Sequence, residues 1–205
     1  ISIFPIKDSY LSKDSIRSIL NPFLGYEKKS IDLNLIENIV DNNSYVDKSE
    51  VSLSFSGNLI LKIKQKTPVG RVISENEMFY VDMDLRKMDL SKHQSARVPI
   101  VIGFENEISR PYLKKVFEHI NDDIFLKQNI SKIIINSPNS ISLKLRTYDI
   151  IVNVGDQRNL KNKFLKLRAF YTRANAKKNL KEFKQINLQF DNQVVVVKNN
   201  SYVKK

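Results

Sequence analysis

Asp82 and Asp84, separated by Met83, could share a hard cation through their carboxylate oxygens. No third and fourth oxygen donors follow them at loop spacing. Acids beside a turn also do something simpler, because Asp accepts hydrogen bonds from its own backbone there. The turn reading is preferred. The two histidines, His93 and His119, lie 26 positions apart, with no ligand spacing between them. His119 sits between Glu118 and Ile120 in a helical pattern and is expected to border the core; His93 sits among polar loop residues. The five glycines are scattered singly, so no phosphate-cradling loop is present. There is no Gly-x-Ser-x-Gly elbow, and without cysteine there is no thiol nucleophile or thiolate metal site. These absences predict a protein without catalytic activity, cofactor or metal.

Charge is the next feature. The chain of 205 residues carries 34 Lys and Arg against 22 Asp and Glu, a net charge of +12. Between Gln157 and Lys184 there are ten basic residues and a single acid, Glu182. Such a segment reads either as a docking face for an acidic partner or lipid head groups, or as a solvated helix face. A nucleic-acid domain would more often interleave such charge with exposed aromatics or Gly-rich loops, and nucleic acid is not the expected partner. No apolar run reaches the length of a membrane span. Residue 1 is Ile, so any targeting segment is expected upstream.

The elements that would position these residues follow from hydrophobic periodicity. Ile1 to Ile6 reads as a first strand closed by Pro5. Ser12-Lys13-Asp14 starts a helix with Ile16, Ile19 and Leu20 at helical spacing, ended by Pro22 and Gly25. A second helix begins near Asp32, with Leu35, Ile36, Ile39 and Val40 on one face. Val51, Leu53 and Phe55 alternate as a strand. After the turn Ser56-Gly57-Asn58, Leu59, Leu61 and Ile63 alternate against lysines. Residues 1–73 therefore form a β-α-α-β-β module, with the junction near 73–76. Residues 74–197 form a strand-rich second domain, and 198–205 a flexible tail. In the second domain Met78–Val81 and Arg86–Leu90 flank a turn, Val98–Ile102 is a buried strand, and Arg110–Asn121 is a helix. Strands follow at 133–135, 141–145 and 150–154, then a helix from Asn159 to about Ala174. Ile186–Phe190 and Gln193–Val197 are expected as a final hairpin around Asp191-Asn192. The fold class is α+β: a compact N-terminal module, then a mixed β-sheet domain with flanking helices.

The exit of the first module, Gly57-Asn58-Leu59-Ile60-Leu61-Lys62-Ile63-Lys64-Gln65-Lys66-Thr67-Pro68-Val69-Gly70-Arg71-Val72, resembles the segment leading into the β domain of the FtsQ/DivIB cell-division proteins. The similarity continues through Phe79-Tyr80-Val81-Asp82, Arg97-Val98-Pro99-Ile100-Val101-Ile102-Gly103 and Val154-Gly155-Asp156. It resumes at Lys163-Phe164-Leu165-Lys166-Leu167 and at Ile186-Asn187-Leu188-Gln189-Phe190-Asp191-Asn192-Gln193-Val194-Val195. The pattern resembles the Bacteroidetes-type members, and the first module resembles a polypeptide-transport-associated (POTRA) domain. There are departures. Leu85 stands where the family often has Gly, so a different turn is expected. Asn187-Leu188-Gln189 replaces Asp-Leu-Arg. Asp156 stands where some members carry an Arg that contacts the partner.

The resemblance implies a non-catalytic scaffold of the divisome on the periplasmic side of the inner membrane at the septum. It would be anchored by one membrane helix ahead of Ile1. The POTRA module would meet other division proteins, and septal peptidoglycan synthesis would be coordinated through the assembly. It implies FtsB and FtsL as partners, bound through the last strands, with Phe190, Asn192, Gln193, Val194, Val196 and Lys198 as the contact residues. Physically, a terminal strand offers unpaired N–H and C=O groups to another chain. The four consecutive valines from Val194 favour an extended backbone. Val194 and Val196 share one face, Val195 and Val197 the other. A fully covered core strand remains the other reading of this segment. The alternative function is a POTRA-bearing protein that binds polypeptides for outer-membrane assembly or secretion.

Overall fold

A computed structural model describes residues 2–4, 10–25, 31–105 and 107–199. The expected closure of the first strand at Pro5 and all but the first two residues of the tail lie outside the described residues. The chain divides into two compact units. The first takes residues up to Pro68 together with Lys87–Arg97, and the second takes Val69–Arg86 and everything from Val98 onward. The chain first crosses between units at Pro68/Val69, a few residues ahead of the junction expected from sequence.

In the first unit the order is β1 (Ser2–Phe4), α1 (Lys13–Leu20), α2 (Leu33–Asp41), β2 (Val46–Leu53) and β3 (Leu59–Gln65). Ser12 caps α1 by accepting from the Ser15 N–H at 3.0 Å, and Asp32 caps α2 by accepting from the Leu35 N–H at 3.0 Å. The sheet order is β1-β3-β2, with β1 parallel to β3 and β2 antiparallel to it. Ile16, Leu20, Ile36 and Val40 meet Val46, Val51, Leu59, Leu61 and Ile63 in one core. The helical face expected on α2 is narrower than periodicity suggests: Ile36 and Val40 are buried, while Leu35 and Ile39 are exposed. Strand β2 begins earlier than expected and stops at Leu53, so Phe55 stands outside it, fully exposed.

Strand β2 is an edge of its sheet, and the helix beside it closes that edge. Asp41 Oδ1 accepts from the Ser49 N–H and Glu37 Oε1 from the Val51 N–H, both at 2.7 Å. Carboxylates of α2 thus occupy backbone donors that another strand would otherwise use. The segment 87–97, opening with the two-residue strand β6 (Lys87–Met88), is held in this unit: Ser91 Oγ donates to Tyr10 O at 2.7 Å, and Ser44 Oγ to Asp89 Oδ2 at 2.8 Å. A strand was expected from Arg86 to Leu90; its length is cut to two residues.

The second unit contains β4 (Gly70–Ile73), β5 (Met78–Val81), β7 (Ile100–Ile102), α3 (Arg110–Asp122), α4 (Ile124–Asn129), β8 (Ile130–Ser137), β9 (Ser140–Leu145), β10 (Ile151–Gly155), α5 (Leu160–Ala176), β11 (Phe183–Asn187) and β12 (Val195–Lys198). The sheet runs β12-β11-β10-β9-β8-β7-β4-β5 and is mixed: β4–β7, β7–β8 and β10–β11 are parallel, the other pairs antiparallel. This is the α+β class expected. Leu113, Val116, Phe117 and Ile120 of α3 and Leu160, Phe164 and Leu167 of α5 share its core with the strands, as their spacing predicts. Helix α4 has no counterpart in the sequence reading, since its six residues are too few for periodicity to register. Gly70 lets β4 and α3 approach closely, for a Cβ there would stand 2.5 Å from the Phe117 ring.

The final hairpin is shifted from expectation. Strand β11 starts at Phe183 and ends at Asn187, and residues 188–194 form a seven-residue connection rather than a tight turn at Asp191-Asn192. A register irregularity between Phe183 and Gln185 breaks the alternation that would have shown the true start.

The Asp82-x-Asp84 pair is a turn. Asp82 is 4% exposed, and its Oδ1 accepts from the N–H groups of Asp84 (3.0 Å) and Arg86 (2.9 Å). Its Oδ2 takes Arg86 Nε at 2.7 Å. Leu85 is left-handed, with φ 61, the conformation glycine adopts without cost. Leu85 accepts the strain, roughly 1–2 kcal/mol, within bonds centred on Asp82. Asp82→Ala is therefore expected to destabilise the protein by about 2 kcal/mol, and Asp82→Asn, which keeps Oδ1, by less. Urea unfolding of the two variants measures the difference.

Candidate functional site: the last strand and its loop

Strand β12 pairs with β11 through Asn187↔Val195, Ile186↔Val196 and Gln185↔Val197, ending at Phe183↔Lys198. The Leu188 N–H donates to Asn153 O at 2.9 Å, and the Asn199 N–H to Glu182 O at 2.7 Å. Counting by strand alternation from these two bonds, Val195 and Val197 are the residues whose main chain bonds β11. The N–H and C=O of Val196 and Lys198 point the other way. On that side no strand is paired among the described residues.

Side chains alternate with the backbone. Val194 and Val196 pack against the core, whereas Val195 and Val197 are 38% and 49% exposed. Phe190, Asn192 and Gln193 lie exposed in the loop, and Lys198 Nζ is 3.5 Å from Glu182 Oε2. The six residues singled out in the sequence are thus gathered on one loop and strand. Val196 offers main chain there rather than side chain, and Val194, in the loop, packs against the core. On the strand itself the exposed apolar side chains are Val195 and Val197, which the alternation of the four valines could have nominated.

The loop is held from α5. Lys166 Nζ donates to three of its carbonyls, Leu188 O at 3.4 Å, Asp191 O at 3.2 Å and Phe190 O. Nothing in the sequence marks Lys166 among its basic neighbours. Gly155, at the end of β10, has φ 72, and a Cβ there would meet Gln189 Cγ at 2.6 Å. Both the backbone angle and the close approach of Gln189 call for glycine.

Asp156 follows Gly155 at the centre of a small polar cluster. Hydrogen bonds from Arg158 and then Lys163 hold its carboxyl well below the usual carboxylate range. Lys163 is buried, with Nζ 2.8 Å from Asp156 O and 3.0 Å from Oδ1. The Tyr112 hydroxyl donates to Gly155 O at 2.9 Å and Asp156 O at 3.0 Å; burial, then the Asp156 charge, pushes its ionisation up. Arg168 pairs with Asp123. Arg158, Lys163, Lys166 and Arg168 of the 157–184 segment are therefore engaged within the unit, while Lys161, Arg173, Lys177, Lys178 and Lys184 are exposed. His119 is half-buried with its ring edge-on to Phe164, centroids 5.4 Å apart. Among the described residues no group of three or more His, Asp or Glu could hold a metal ion. No described helix is long and apolar enough to cross a membrane.

A family model described as FtsQ/DivIB, C-terminal related, matches residues 67–197, more than half of the chain. The chain belongs to the FtsQ/DivIB C-terminal-related family. Membership carries a role in cell division, at the division septum, among other division proteins. No curated protein matches the chain. The matched span of this FtsQ/DivIB relative begins two residues before the second unit and ends within β12, so the loop and edge strand lie inside the family domain.

Two outcomes are expected here. Lys166→Ala should cost about 1–2 kcal/mol and speed hydrogen exchange at amides 188–193 beyond other loops. Asp156 has a depressed pKa in the folded state, so its stabilisation is present above the unfolded value of about 4 and is lost as pH falls below it. Asp156→Asn should accordingly lower stability at neutral pH, and its deficit should shrink as pH drops below about 4, as read by unfolding at a series of pH values.

Proposed function

We propose that this chain is the periplasmic part of a non-catalytic divisome scaffold that binds an FtsB–FtsL-type pair by strand addition to β12. The observation that carries the reading is the free edge: Val196 and Lys198 direct main-chain groups outward beside exposed Val195 and Val197. The contrast with β2 supports it, since α2 carboxylates occupy two of that strand's outward donors, at Ser49 and Val51. Strand addition draws affinity from main-chain bonds and specificity from flanking pockets. Phe190 at 47% exposure and the tethered loop supply such a flank. In this reading a membrane helix ahead of Ile1 anchors the chain in the inner membrane. The first unit, a POTRA-type module, meets other division proteins, and the assembly coordinates septal peptidoglycan synthesis. The exposed lysines of α5 and its C-terminal turn steer an acidic partner, an effect that weakens with salt.

Proline at 196 and at 197 separates edge from ladder. Val196→Pro removes an outward N–H and leaves the β11 bonds in place; Val197→Pro breaks one of them. Val196→Pro is expected to melt near the parent temperature yet lose binding to the periplasmic segment of FtsB by more than tenfold, about 1.4 kcal/mol. Val197→Pro should lower the melting temperature. A folded Val196→Pro variant that binds with parental affinity, by calorimetry, sinks the strand-addition mechanism.

A further inference from the structure

The β2–β3 hairpin ends in an uncharged tip. From Val51 to Leu61 there is no charged residue. The last ion pair on the hairpin is Lys62–Glu50, at 3.9 Å, on directly opposed residues. Beyond it three rungs, Val51↔Leu61, Ser52↔Ile60 and Leu53↔Leu59, carry no charge, which makes an uncharged end about 10 Å deep. At its tip Phe55 is fully exposed, and with Leu53 and Ile60 it lines a shallow apolar recess.

The polar groups of the turn are turned inward on one another. The Ser54 N–H donates to Asn58 O at 2.9 Å and the Gly57 N–H to Ser54 O at 3.0 Å. The Asn58 N–H donates to Ser54 Oγ at 2.9 Å, Asn58 Nδ2 to Ser56 Oγ at 3.1 Å, and the two serine hydroxyls are 2.8 Å apart. Gly57 makes this possible with φ 83. A turn whose polar groups bond each other leaves water at lower cost than one that relies on solvent.

The position of the tip supplies the occupant. Strand β1 is parallel to β3 with Ser2 opposite Ile60, so the start of β1 lies at the same end of the sheet as the turn, one strand spacing away. We propose that the β2–β3 turn is a membrane-interface contact, with Phe55 seated in the head-group layer of the bilayer. This rests on the anchored reading above: a membrane helix preceding β1 would turn this end of the sheet toward lipid. The depth of the uncharged end matches the burial of interfacial apolar groups, about 5–10 Å, and aromatic rings favour that layer.

The test uses the full natural chain in phosphatidylethanolamine–phosphatidylglycerol vesicles. Phe55→Trp places an indole at the tip, and Lys48→Trp places one near the far end of β2; each spectrum is read as the difference from the unsubstituted chain. Phe55→Trp emission is expected to shift to the blue on reconstitution. Brominated lipid should quench it several-fold more than Lys48→Trp. Absence of quenching at both sites in a chain that floats with the vesicles overturns the proposal. Equal quenching at both also overturns it, because the tip is then not the contact. A blue shift that appears only on adding a division protein assigns the tip to that protein instead. A full chain that does not float with vesicles removes the anchored reading, and this inference with it.

Discussion

An open sheet leaves a row of backbone donors and acceptors on its last strand, and each must find water, a side chain or another chain. This protein meets that constraint in two ways. In the first unit Glu37 and Asp41 reach from α2 and take up the outward N–H groups of β2 at Val51 and Ser49. In the second unit β12 has no such cover among the described residues. The β2 edge is closed by its own unit, and the β12 edge is presented. The functional reading follows from that difference more than from any side chain.

Presentation needs a backbone that is already in place, since ordering a loop on binding costs affinity. The support lies one layer back. Lys166 gathers the carbonyls of Leu188, Phe190 and Asp191, while Gly155 gives Gln189 room to lie against β10. Beside them Asp156 takes Arg158 and the buried Lys163, and Tyr112 bonds the main chain at the same point. Part of the basic charge of the 157–184 segment is spent on this internal work. The exposed Lys161, Arg173, Lys177, Lys178 and Lys184 can act at long range, where charge affects encounter more than affinity.

The turn at Asp82 shows how a local rule can be broken. Leucine at a left-handed position is costly, and no propensity would place it there. The buried Asp82 carboxylate binds the N–H groups of Asp84 and Arg86 and the Arg86 side chain, and the Leu85 N–H donates to Asp82 O at 3.0 Å. Enough bonds converge on one residue to hold its neighbour in an unfavourable well. Leu85 also packs against the hydrophobic core, which glycine could not do.

Elements whose signal is local were legible in the sequence. The caps Ser12 and Asp32, the apolar spacing of α3 and α5, and the alternation of β3 and of the four valines each depend on residues near one another. The family was legible too, because it rests on ordered short motifs spread over the chain. Three features were decided only in the folded molecule: the start of β11 at Phe183, the tethering of the loop by Lys166 across more than twenty residues, and the closure of β2 by Glu37 and Asp41. Each needs a partner distant in sequence, and nothing in the type or spacing of a lysine or a glutamate says which carbonyl or N–H it will reach. The sequence alone determined that the run of four valines from Val194 is extended and apolar. Which of that strand's two sides lies open was set by pairing with β11, because hydrogen-bond parity is a property of two strands together and not of either one.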